Sequence, residues 1–507
     1  MKQTQPAKNT ADYLLERADP QSIALISGKA EYTYENLLTA SQRVAGELSA
    51  QGVQPGDRVA ILGNNSLFWV ACYLAAMKLG AIAAPLASSL TPEEVAGLMR
   101  FVQFKSICAD GRDQRRYAGV LEGPLVSDEV LEQPGPSVWP REDTIQSLDQ
   151  DAALMFTSGT TSSPRLVRVT HRNIQANTDS IIEYLDLTSS ERVMAVLQFF
   201  YCFGTSLLHT HLRVGGSVVM ANSFVFPEVV LNQMEATNCT GFAGVPSTYQ
   251  TLLRNSTFPR RQFPALRKLQ QAGGKLQPVL IQELVDSMPQ AQVYVMYGQT
   301  EATARLSYLP PADLKTKLGS IGKGIPGVTL RVIGEDGCPV KTGEVGEIYA
   351  SGDNISPGYW NNPEASAEKF FDGVLHTGDL ATQDEDGYLF VVDRKADFIK
   401  SYGFRVSSQR VEECIVEIPE VVGAAVIGEP DAVRGEAIWA FVVRRAGAEL
   451  SSEAVINYCG SHLANYMVPK EVVFLDRLPM NAHGKIVKNE LRKLAAQTIE
   501  AQEAAGQ

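Results

Sequence analysis

The chain has 507 residues, of which 45% are hydrophobic and 20% are charged, and its formal net charge is -12 at pH 7. This length exceeds a single hydrophobic core, so we expect an ordinary soluble globular protein of two or more domains. The negative charge argues against broad binding to nucleic acid or to anionic membranes.

The first half of the chain alternates predicted strands and helices. Residues 58–62 are predicted as a buried strand, 66–79 as a helix that ends at Gly80, and 81–85 as the next strand. A strand–helix–strand unit indicates a parallel sheet. The same alternation returns later, with strands predicted at 217–220, 241–245, 266–271 and 293–296. We therefore predict two doubly wound α/β lobes, which bind ligands at the carboxyl ends of their strands.

Between these lobes, residues 152–156 read as a buried strand that continues into a loop of hydroxyl residues, Gly159 and the cation Arg165. Backbone N–H groups, Ser and Thr hydroxyls and a positive charge together suit a phosphate. A cluster of this composition is more often a polar surface turn. The length of the loop, the strand before it and the cation after it favour the phosphate site. The loop is not a Walker A motif, because no G-x-x-x-x-G-K-[S/T] is present.

From Gly319 the pattern changes to short strands separated by Gly, Asp and Pro. Strands predicted at 328–333, 346–351 and 388–392 indicate a small antiparallel sheet or a distorted β-barrel. Gly322 to Gly327 matches G-x-G-x-x-G, but no strand precedes the motif, and Pro326 and Gly327 oppose the helix that dinucleotide binding needs. We therefore reject a dinucleotide site.

The last hundred residues have a pattern of their own after the charged stretch 393–397. Strands are predicted at 421–428, 437–444 and 472–475, and a helix at 452–463. A small α+β domain fits this pattern.

Seven scattered cysteines without a C-x-x-C pair suit a reducing compartment. Residues 1–20 mix charges with few apolar residues, which is unlike a signal or transit peptide, and no apolar run is long enough to span a bilayer. We expect a cytoplasmic enzyme without a membrane span. His209 and His211 lack an evident third metal ligand, so we interpret them as packed or capping histidines.

Three further stretches carry residues suited to nucleotide chemistry. In the stretch 297–301, Gly298 permits a tight turn and Glu301 supplies a hard carboxylate of the kind that binds divalent cations. Asp379, in His-Thr-Gly-Asp-Leu, offers a carboxylate suited to paired ribose hydroxyls. Lys485 lies in Asn-Ala-His-Gly-Lys-Ile. Taken singly, each residue is more often a solvated loop residue.

Taken together and in this order, these stretches resemble the acyl-adenylate-forming enzymes, which include acyl-CoA synthetases, amino-acid adenylation domains and luciferases. The family loop usually reads T-S-G-T-T-G-x-P-K-G, and this chain has Ser162, Arg165 and Leu166 where that pattern has Gly, Lys and Gly. The resemblance implies that the loop binds the β,γ-phosphates of ATP. The residues that it implicates are Thr157, Ser158, Gly159, Thr160, Thr161 and Arg165.

The resemblance also assigns roles to the later motifs. It implies that Glu301 binds Mg²⁺, that Thr300 contacts the α-phosphate and that Lys485 enters the site for adenylation. Carboxylate attack on the α-phosphorus gathers negative charge, which a cation placed in advance can stabilise. The residues implied for adenine and ribose are Gly273, Gly274, Tyr297, Gly298, Asp379 and Arg394. Lys275 and Gln277 depart from the family's usual G-G-A-P-L at the adenine loop.

The resemblance predicts domain boundaries. The N-terminal adenylate-forming domain would span residues 1–392, with α/β lobes to about 318 and a β-barrel over 319–392. Residues 393–397 would form a hinge, in which Ala396 replaces the usual Asp or Lys, and residues 398–507 a mobile α+β lid. The resemblance implies that Lys400 and Gly403 lie on the loop that enters the site for the second half-reaction.

The acid-binding wall has the least distinctive sequence. Tyr201 stands where the family often has a His, and we predict that the wall also uses Phe242, Gly244, Ser247 and Gln271. Amino-acid adenylation domains carry an Asp in this region to pair with the substrate ammonium. No Asp lies between residues 193 and 216, which favours an uncharged carboxylic acid.

We therefore predict a two-step, AMP-forming ligase that uses ATP and Mg²⁺. A small carboxylic acid and ATP would give acyl-adenylate and pyrophosphate, and a thiol of CoA or of phosphopantetheine on a separate carrier protein would then take the acyl group. The alternatives are a stand-alone amino-acid adenylation enzyme, a luciferase-like oxygenase and a silent nucleotide sensor. The departures Ser162, Arg165 and Ala396 suggest the sensor, but the presence of Lys485 and Glu301 argues against it.

Overall fold

The structure is a computed structural model that describes residues 8–132, 135, 137–140, 144–157, 165–394, 397–431, 433–481 and 485–505. Its helices are α1 (Thr10–Leu15), α2 (Tyr34–Ala50), α3 (Leu67–Lys78), α4 (Pro92–Val102), α5 (Gly111–Arg116), α6 (His171–Leu185), α7 (Cys202–Val214), α8 (Pro227–Ala236), α9 (Pro246–Arg254), α10 (Pro278–Ser287), α11 (Pro363–Lys369), α12 (Ser408–Val416), α13 (Ser452–His462) and α14 (Lys488–Ala505).

Its strands are β1 (Ile23–Ser27), β2 (Ala30–Thr33), β3 (Arg58–Leu62), β4 (Ile82–Pro85), β5 (Ser106–Ala109), β6 (Leu125–Val126), β7 (Asp151–Thr157), β8 (Arg165–Thr170), β9 (Arg192–Ala195), β10 (Ser217–Met220), β11 (Gly241–Gly244), β12 (Lys268–Gln271), β13 (Gln292–Tyr297), β14 (Ser307–Leu309), β15 (Lys323–Gly324), β16 (Thr329–Ile333), β17 (Gly346–Ser351), β18 (Phe370–Phe371), β19 (Val374–Gln383), β20 (Leu389–Arg394), β21 (Ile399–Ser401), β22 (Phe404–Val406), β23 (Val421–Asp431), β24 (Gly435–Arg444) and β25 (Glu471–Leu475).

The largest sheet has nine strands in the order β15-β14-β13-β12-β11-β9-β10-β1-β2. The strands from β13 to β1 in this order run parallel, and antiparallel strands close both edges. The strand β1, from the start of the chain, pairs with β10, so that Leu25 lies opposite Val218. The two predicted α/β lobes are therefore present, but they are not simply consecutive in sequence.

The second sheet has six strands in the order β6-β5-β3-β4-β7-β8, and only the pair β7–β8 runs antiparallel. The helix α3 begins at its N-cap Ser66, whose side chain accepts from the backbone N–H of Trp69, and it is buried along almost its whole length. A helix that is apolar on all faces belongs in the interior. The helix accordingly lies in a hydrophobic core that takes side chains from both sheets, such as Val59 and Val218.

A third sheet is antiparallel and follows the large α/β sheets in the chain. Its strands have the order β16-β17-β19-β18, with β20 paired to β19. Within β17 buried and half-buried residues alternate, as expected when one face packs on the core. The residues Lys323–Gly324 of the rejected G-x-G-x-x-G motif form the edge strand β15, and no helix starts there.

The C-terminal domain is a small α+β unit with the strand order β22-β21-β24-β23 and β25 paired to β24. Its helix α12 shares one hydrophobic core with the N-terminal domain, in which Val411 and Ile415 join Leu253 and Leu280. The predicted hinge, residues 393–397, begins with the last two residues of β20 and continues toward β21, and its residues Lys395 and Ala396 lie outside the described residues. The domain boundaries therefore stay predictions, whereas the large and small α/β domains are present.

Among the described residues, we find no helix that combines the length and the apolar character needed to cross a membrane.

Candidate active site

A cavity of about 610 Å³ lies where the large sheet, the antiparallel sheet and the C-terminal domain meet. The predicted residues that line it come from six separate stretches of the chain: Thr157, Arg165, Tyr201, Thr300, Glu301, Asp379, Arg394 and Lys485. The fold thus brings together side chains that are more than 300 positions apart in the sequence.

The turn after β13 places Glu301 in this cavity. A Cβ at Gly298 would lie 2.0 Å from the carbonyl oxygen of Ala304, so only glycine fits where the chain enters the short helix Thr300–Ala302. The hydroxyl of Tyr359 donates to Oε1 of Glu301 at 2.8 Å. The guanidinium of Arg165 lies 5.7 Å from the centre of the Tyr359 ring. Tyr359 therefore contacts both the carboxylate and the cation, and the sequence analysis missed it.

The ends of the predicted phosphate loop lie at the cavity wall. Thr157 ends β7 and Arg165 begins β8, and the two residues are partners in the antiparallel register. The hydroxyl of Thr157 donates to the carbonyl oxygen of Arg165 at 3.4 Å. The loop itself, residues 158–164 with Ser158, Gly159, Thr160 and Thr161, lies outside the described residues, so its phosphate role stays a prediction.

The carboxylate of Asp379 is held from two sides. The hydroxyl of Tyr297 donates to its Oδ2 at 2.5 Å, and the Nε of Arg394 lies 3.3 Å from its Oδ1. The negative charge of Asp379 raises the pKa of the Arg394 guanidinium. An ionised carboxylate has about four acceptor sites, so each oxygen keeps capacity for a further donor such as a hydroxyl.

Lys485 reaches the cavity from a hairpin of the C-terminal domain. The backbone N–H of Asn481 donates to the carbonyl oxygen of Lys485 at 2.9 Å, and the N–H of Lys485 donates to Oδ1 of Asn481 at 3.0 Å. The ammonium lies 5.8 Å from the centre of the Tyr201 ring. Burial and the nearby charge of Arg394 lower the pKa of Lys485. The intervening residues 482–484 lie outside the described part of the chain.

Three further charged residues of the cavity, Glu347, Glu368 and Lys369, were not predicted. The Nζ of Lys369 donates to the carbonyl oxygen of Thr377 at 2.7 Å, and burial lowers the pKa of its ammonium. Glu347 accepts from the backbone N–H of Gly378 at 3.0 Å. Lys369 and Glu347 surround the Thr-Gly-Asp motif, but their own local sequence has no signal that separates them from solvated surface charges.

A second, smaller cavity of about 240 Å³ lies beside the first. Tyr201 lines both cavities and is only 6% exposed, so its ring separates them. The other described residues that line the smaller cavity are Val196, Leu197, Gln198, Phe224, Val245, Ser247, Thr248, Thr251 and Met480. None of these lining residues carries a charge, so the smaller cavity suits an uncharged and mainly apolar group.

The other residues predicted for the acid wall have different places. Phe242 is fully buried and packs edge-on against Tyr249, with 5.8 Å between ring centres, because its side chain points to the opposite face of β11 from Ala243. A Cβ on Gly244 would lie 2.9 Å from Cγ2 of Thr248, so this glycine permits the close approach of α9. The Nε2 of Gln271 donates to the carbonyl oxygen of Gly274 at 2.7 Å. Of the predicted wall, the described cavity lining includes Tyr201 and Ser247.

The loop predicted to border the adenine runs against Tyr201. Gly273 has a φ of +87°, and a Cβ there would lie 2.9 Å from Val245 and 3.0 Å from the Tyr201 hydroxyl. A Cβ on Gly274 would lie 3.2 Å from Pro246. The next residue, Lys275, forms an ion pair of 2.6 Å with Glu413 of the C-terminal domain.

Lys400 and Gly403 line neither of the two cavities. They lie on the hairpin formed by β21 and β22, whose turn residues Tyr402 and Gly403 have φ values of 51° and 81°. Tyr402 is 47% exposed. In this arrangement of the domains the hairpin therefore stays outside, while Lys485 is inside.

The two histidines of α7 are packed residues, as predicted. The Nε2 of His209 lies 3.1 Å from the Tyr73 hydroxyl, and the Nδ1 of His211 lies 2.8 Å from the carbonyl oxygen of Leu207. Burial lowers the pKa of His209 to about 3 and that of His211 to about 4. The described residues contain no group of three or more His, Cys, Asp and Glu that could hold a metal ion by themselves.

Comparisons with known proteins agree with this geometry. The family model described as "AMP-binding enzyme" matches residues 15–360, and the model described as "AMP-binding enzyme C-terminal domain" matches residues 410–485. A feruloyl-CoA synthase of Amycolatopsis sp is 34% identical over 94% of this chain and 96% of its own length. An indoleacetate–CoA ligase of Aromatoleum aromaticum is 30% identical, again over 94% of this chain and 96% of its own length.

A solved structure of o-succinylbenzoate coenzyme A synthetase from Bacillus subtilis, in complex with ATP and a magnesium ion, has a similar fold. It superposes on this chain with a TM-score of 0.84 and 29% sequence identity, covering 96% of this chain and 99% of that one. This likeness extends over both domains.

Proposed function

Because the chain belongs to the AMP-binding enzyme family and is an AMP-forming acid–thiol ligase, we propose that it joins a monocarboxylic acid with one uncharged aromatic group to coenzyme A. The observation that supports this substrate class is the small cavity beside Tyr201, whose described lining carries no charge. A cavity of about 150 Å³ holds benzene, so the roughly 240 Å³ here suits one aromatic ring with a short substituent.

The two adjoining cavities suggest where each substrate lies. Nucleotide phosphates and ribose would occupy the larger cavity, between Arg165 and Asp379. The ring of the acid would occupy the smaller cavity, with its carboxylate at Tyr201, next to the Lys485 ammonium. Feruloyl, indoleacetyl and o-succinylbenzoyl groups, named for the relatives, each contain an aromatic ring.

The larger cavity also fits a magnesium ion. Mg²⁺ usually keeps several waters and binds through one or two carboxylates together with substrate phosphates. Glu301 supplies one such carboxylate, and Tyr359 orients it. When bound, the ion would offset the negative charge of the phosphates. The scarcity of other protein ligands is therefore compatible with magnesium that arrives with ATP.

In the first half-reaction, an oxygen of the substrate carboxylate attacks the α-phosphorus of ATP, and the bond to pyrophosphate breaks. Lys485 would stabilise the negative charge that gathers on the α-phosphoryl oxygens, with Thr300 as a neighbouring donor. Arg165 would stabilise the departing pyrophosphate at the end of the phosphate loop. Asp379, held by Tyr297 and Arg394, would accept hydrogen bonds from the ribose hydroxyls.

In the second half-reaction, the sulfur of the thiol attacks the acyl carbon, AMP leaves and the thiol proton is released. In the structure described above, Lys485 occupies the cavity, and the hairpin with Lys400 and Gly403 lies outside it. We propose that the C-terminal domain turns about residues 393–397, withdraws Lys485 and brings this hairpin to the site. The thiol is proposed to be that of CoA, because the feruloyl-CoA synthase and the indoleacetate–CoA ligase that this chain resembles are named for CoA.

An α-amino acid is disfavoured by the same small cavity, since its ammonium would need a carboxylate and no described lining residue supplies one. The experiment is a panel of acids measured by pyrophosphate release: benzoate, cinnamate, ferulate, indoleacetate, phenylalanine and octanoate. We expect the aromatic monocarboxylates to be the best substrates and CoA to accept the acyl group. Preference for phenylalanine, or acyl transfer only to a carrier-protein thiol, would contradict the proposal.

A further inference from the structure

The C-terminal domain also meets the N-terminal domain along a seam on α9, the helix whose residues Ser247, Thr248 and Thr251 line the smaller cavity. The guanidinium of Arg254, at the end of α9, donates to the carbonyl oxygen of Val416 at 3.1 Å and to that of Val421. A Cβ on Gly423 would lie 3.0 Å from Oε1 of Gln250. The helix α12 and the start of β23 are thus seated directly on α9.

An ion pair crosses this seam next to the nucleotide site. The Nζ of Lys275 lies 2.6 Å from Oε1 of Glu413 on α12, and the two side chains are only 25% and 15% exposed. Lys275 also donates to the carbonyl oxygen of Val391 at 3.4 Å. Its ammonium therefore points away from the nucleotide cavity and toward the C-terminal domain.

The position of Lys275 in the chain makes this contact informative. It directly follows Gly273 and Gly274, whose backbone passes against Tyr201 and Pro246. The ion pair between Lys275 and Glu413 thus joins the loop that borders the nucleotide site to the helix α12 of the C-terminal domain. At partial burial such a pair is less screened by salt than one on the surface.

We propose that Lys275 and Glu413 form a latch that holds the C-terminal domain in the position in which Lys485 occupies the active site. The inference rests on the proposed function, because the latch matters only if the domain turns between the half-reactions. The pair exists with Lys485 inside the cavity. A turn that withdraws Lys485 moves α12 from its seat and separates the two charges. Lys275 is then a positioning residue that favours adenylation over thioester formation.

The test compares the two half-reactions in single-turnover experiments on the full-length protein. The first measurement is pyrophosphate release from ATP and the best acid of the panel, and the second is thioester formation from supplied acyl-adenylate and CoA. In Lys275→Ala and Glu413→Gln we expect the ratio of the first rate to the second to fall about fivefold, equivalent to about 1 kcal/mol. The exchanged pair, Lys275→Glu with Glu413→Lys, should restore the ratio to within about twofold of the unchanged protein.

Arg410→Gln is the matched control. Arg410 lies 3.7 Å from the other carboxylate oxygen of Glu413, but on the same helix. Its substitution therefore removes no contact between the two domains and should leave the ratio unchanged. A fall in Lys275→Ala without one in Glu413→Gln would overturn the latch and indicate a direct nucleotide contact. If the protein is active but the ratio of the two rates is the same in all variants, the latch is wrong and the proposed function stands. An unchanged protein that releases no pyrophosphate overturns the proposed function as well.

Discussion

Tyr359→Phe tests how the active site holds Glu301, the residue proposed to bind magnesium. The substitution removes one hydroxyl, which donates to Oε1 of Glu301 at 2.8 Å, and leaves the ring that faces Arg165 in place. Tyr359 is 4% exposed, so water cannot readily replace the lost donor. A hydrogen bond to a charged group contributes about 1.5–3 kcal/mol, which corresponds to a loss of about 10- to 100-fold in kcat/KM for adenylation.

The assay is pyrophosphate release with the best acid over a range of Mg²⁺ concentrations. Because the freed Glu301 carboxylate can turn away from the cavity, the half-saturating Mg²⁺ concentration should rise along with the loss of rate. Thioester formation from supplied acyl-adenylate should change by less than about twofold, since that step does not displace pyrophosphate from magnesium-bound ATP. This pattern separates a positioning role from general damage to the fold.

Tyr34→Phe is the matched control for this substitution. Tyr34 is also 4% exposed, and its hydroxyl donates to the carbonyl oxygen of Gly216 at 2.7 Å, away from both cavities. It should lower thermal stability without any change in the Mg²⁺ requirement. Equal losses in both half-reactions of Tyr359→Phe, or a Mg²⁺ requirement identical to that of the unchanged protein, would refute the assignment.

Two further predictions concern ionisation. Burial lowers the pKa of Lys485, so kcat/KM for pyrophosphate release should decline with rising pH well before an ordinary lysine titrates, and Lys485→Ala should lose this reaction yet still form thioester from supplied acyl-adenylate. Burial raises the pKa of Glu412 to about 7 from 4.5, so the folded state binds its proton more tightly and stability falls as pH rises through this window. Glu412→Gln should therefore raise the free energy of unfolding at pH 8 by up to about 3 kcal/mol, measured as a higher unfolding temperature, and should change both little at pH 4.5; an equal shift at both pH values would contradict this.

The sequence was most informative where local constraints are strong. The buried helix α3 and the parallel strands around it follow from apolar runs and from turn residues such as Gly80. The motif residues Glu301 and Asp379 were recognisable because each stands in a short motif that resembles the family's pattern. Glu301 follows the end of β13, whereas Asp379 lies within β19. What lies beyond the local sequence was missed: the strand β1 was not predicted, and its partner β10 is almost 200 positions away.

Residues that act through tertiary contacts carried no signal of their own. Tyr359 follows Gly358 in an irregular stretch, and Lys369 ends the short helix α11, so neither differs from an ordinary surface residue in sequence. Phe242 illustrates a different limit. The strand β11 is buried on both faces, so hydrophobic periodicity cannot show which side chains face the cavity. Lys275 looked like a departure from an adenine loop, and its ion pair with Glu413 became visible only in three dimensions.

Residues for the nucleotide site could be predicted from the sequence more readily than residues for the acid site, and this difference has a physical cause. Phosphates and ribose need fixed charges and donors at strand ends, and such residue types leave a readable pattern. The small cavity is instead shaped by neutral side chains from several segments, any of which could be exchanged for another of similar volume. One of them, Met480, lies five positions before Lys485 and forms an isolated antiparallel bridge with Ile486. An acid seated there as proposed would meet the same segment that places Lys485 in the larger cavity, so acid recognition and the placement of Lys485 would both depend on one position of the C-terminal domain.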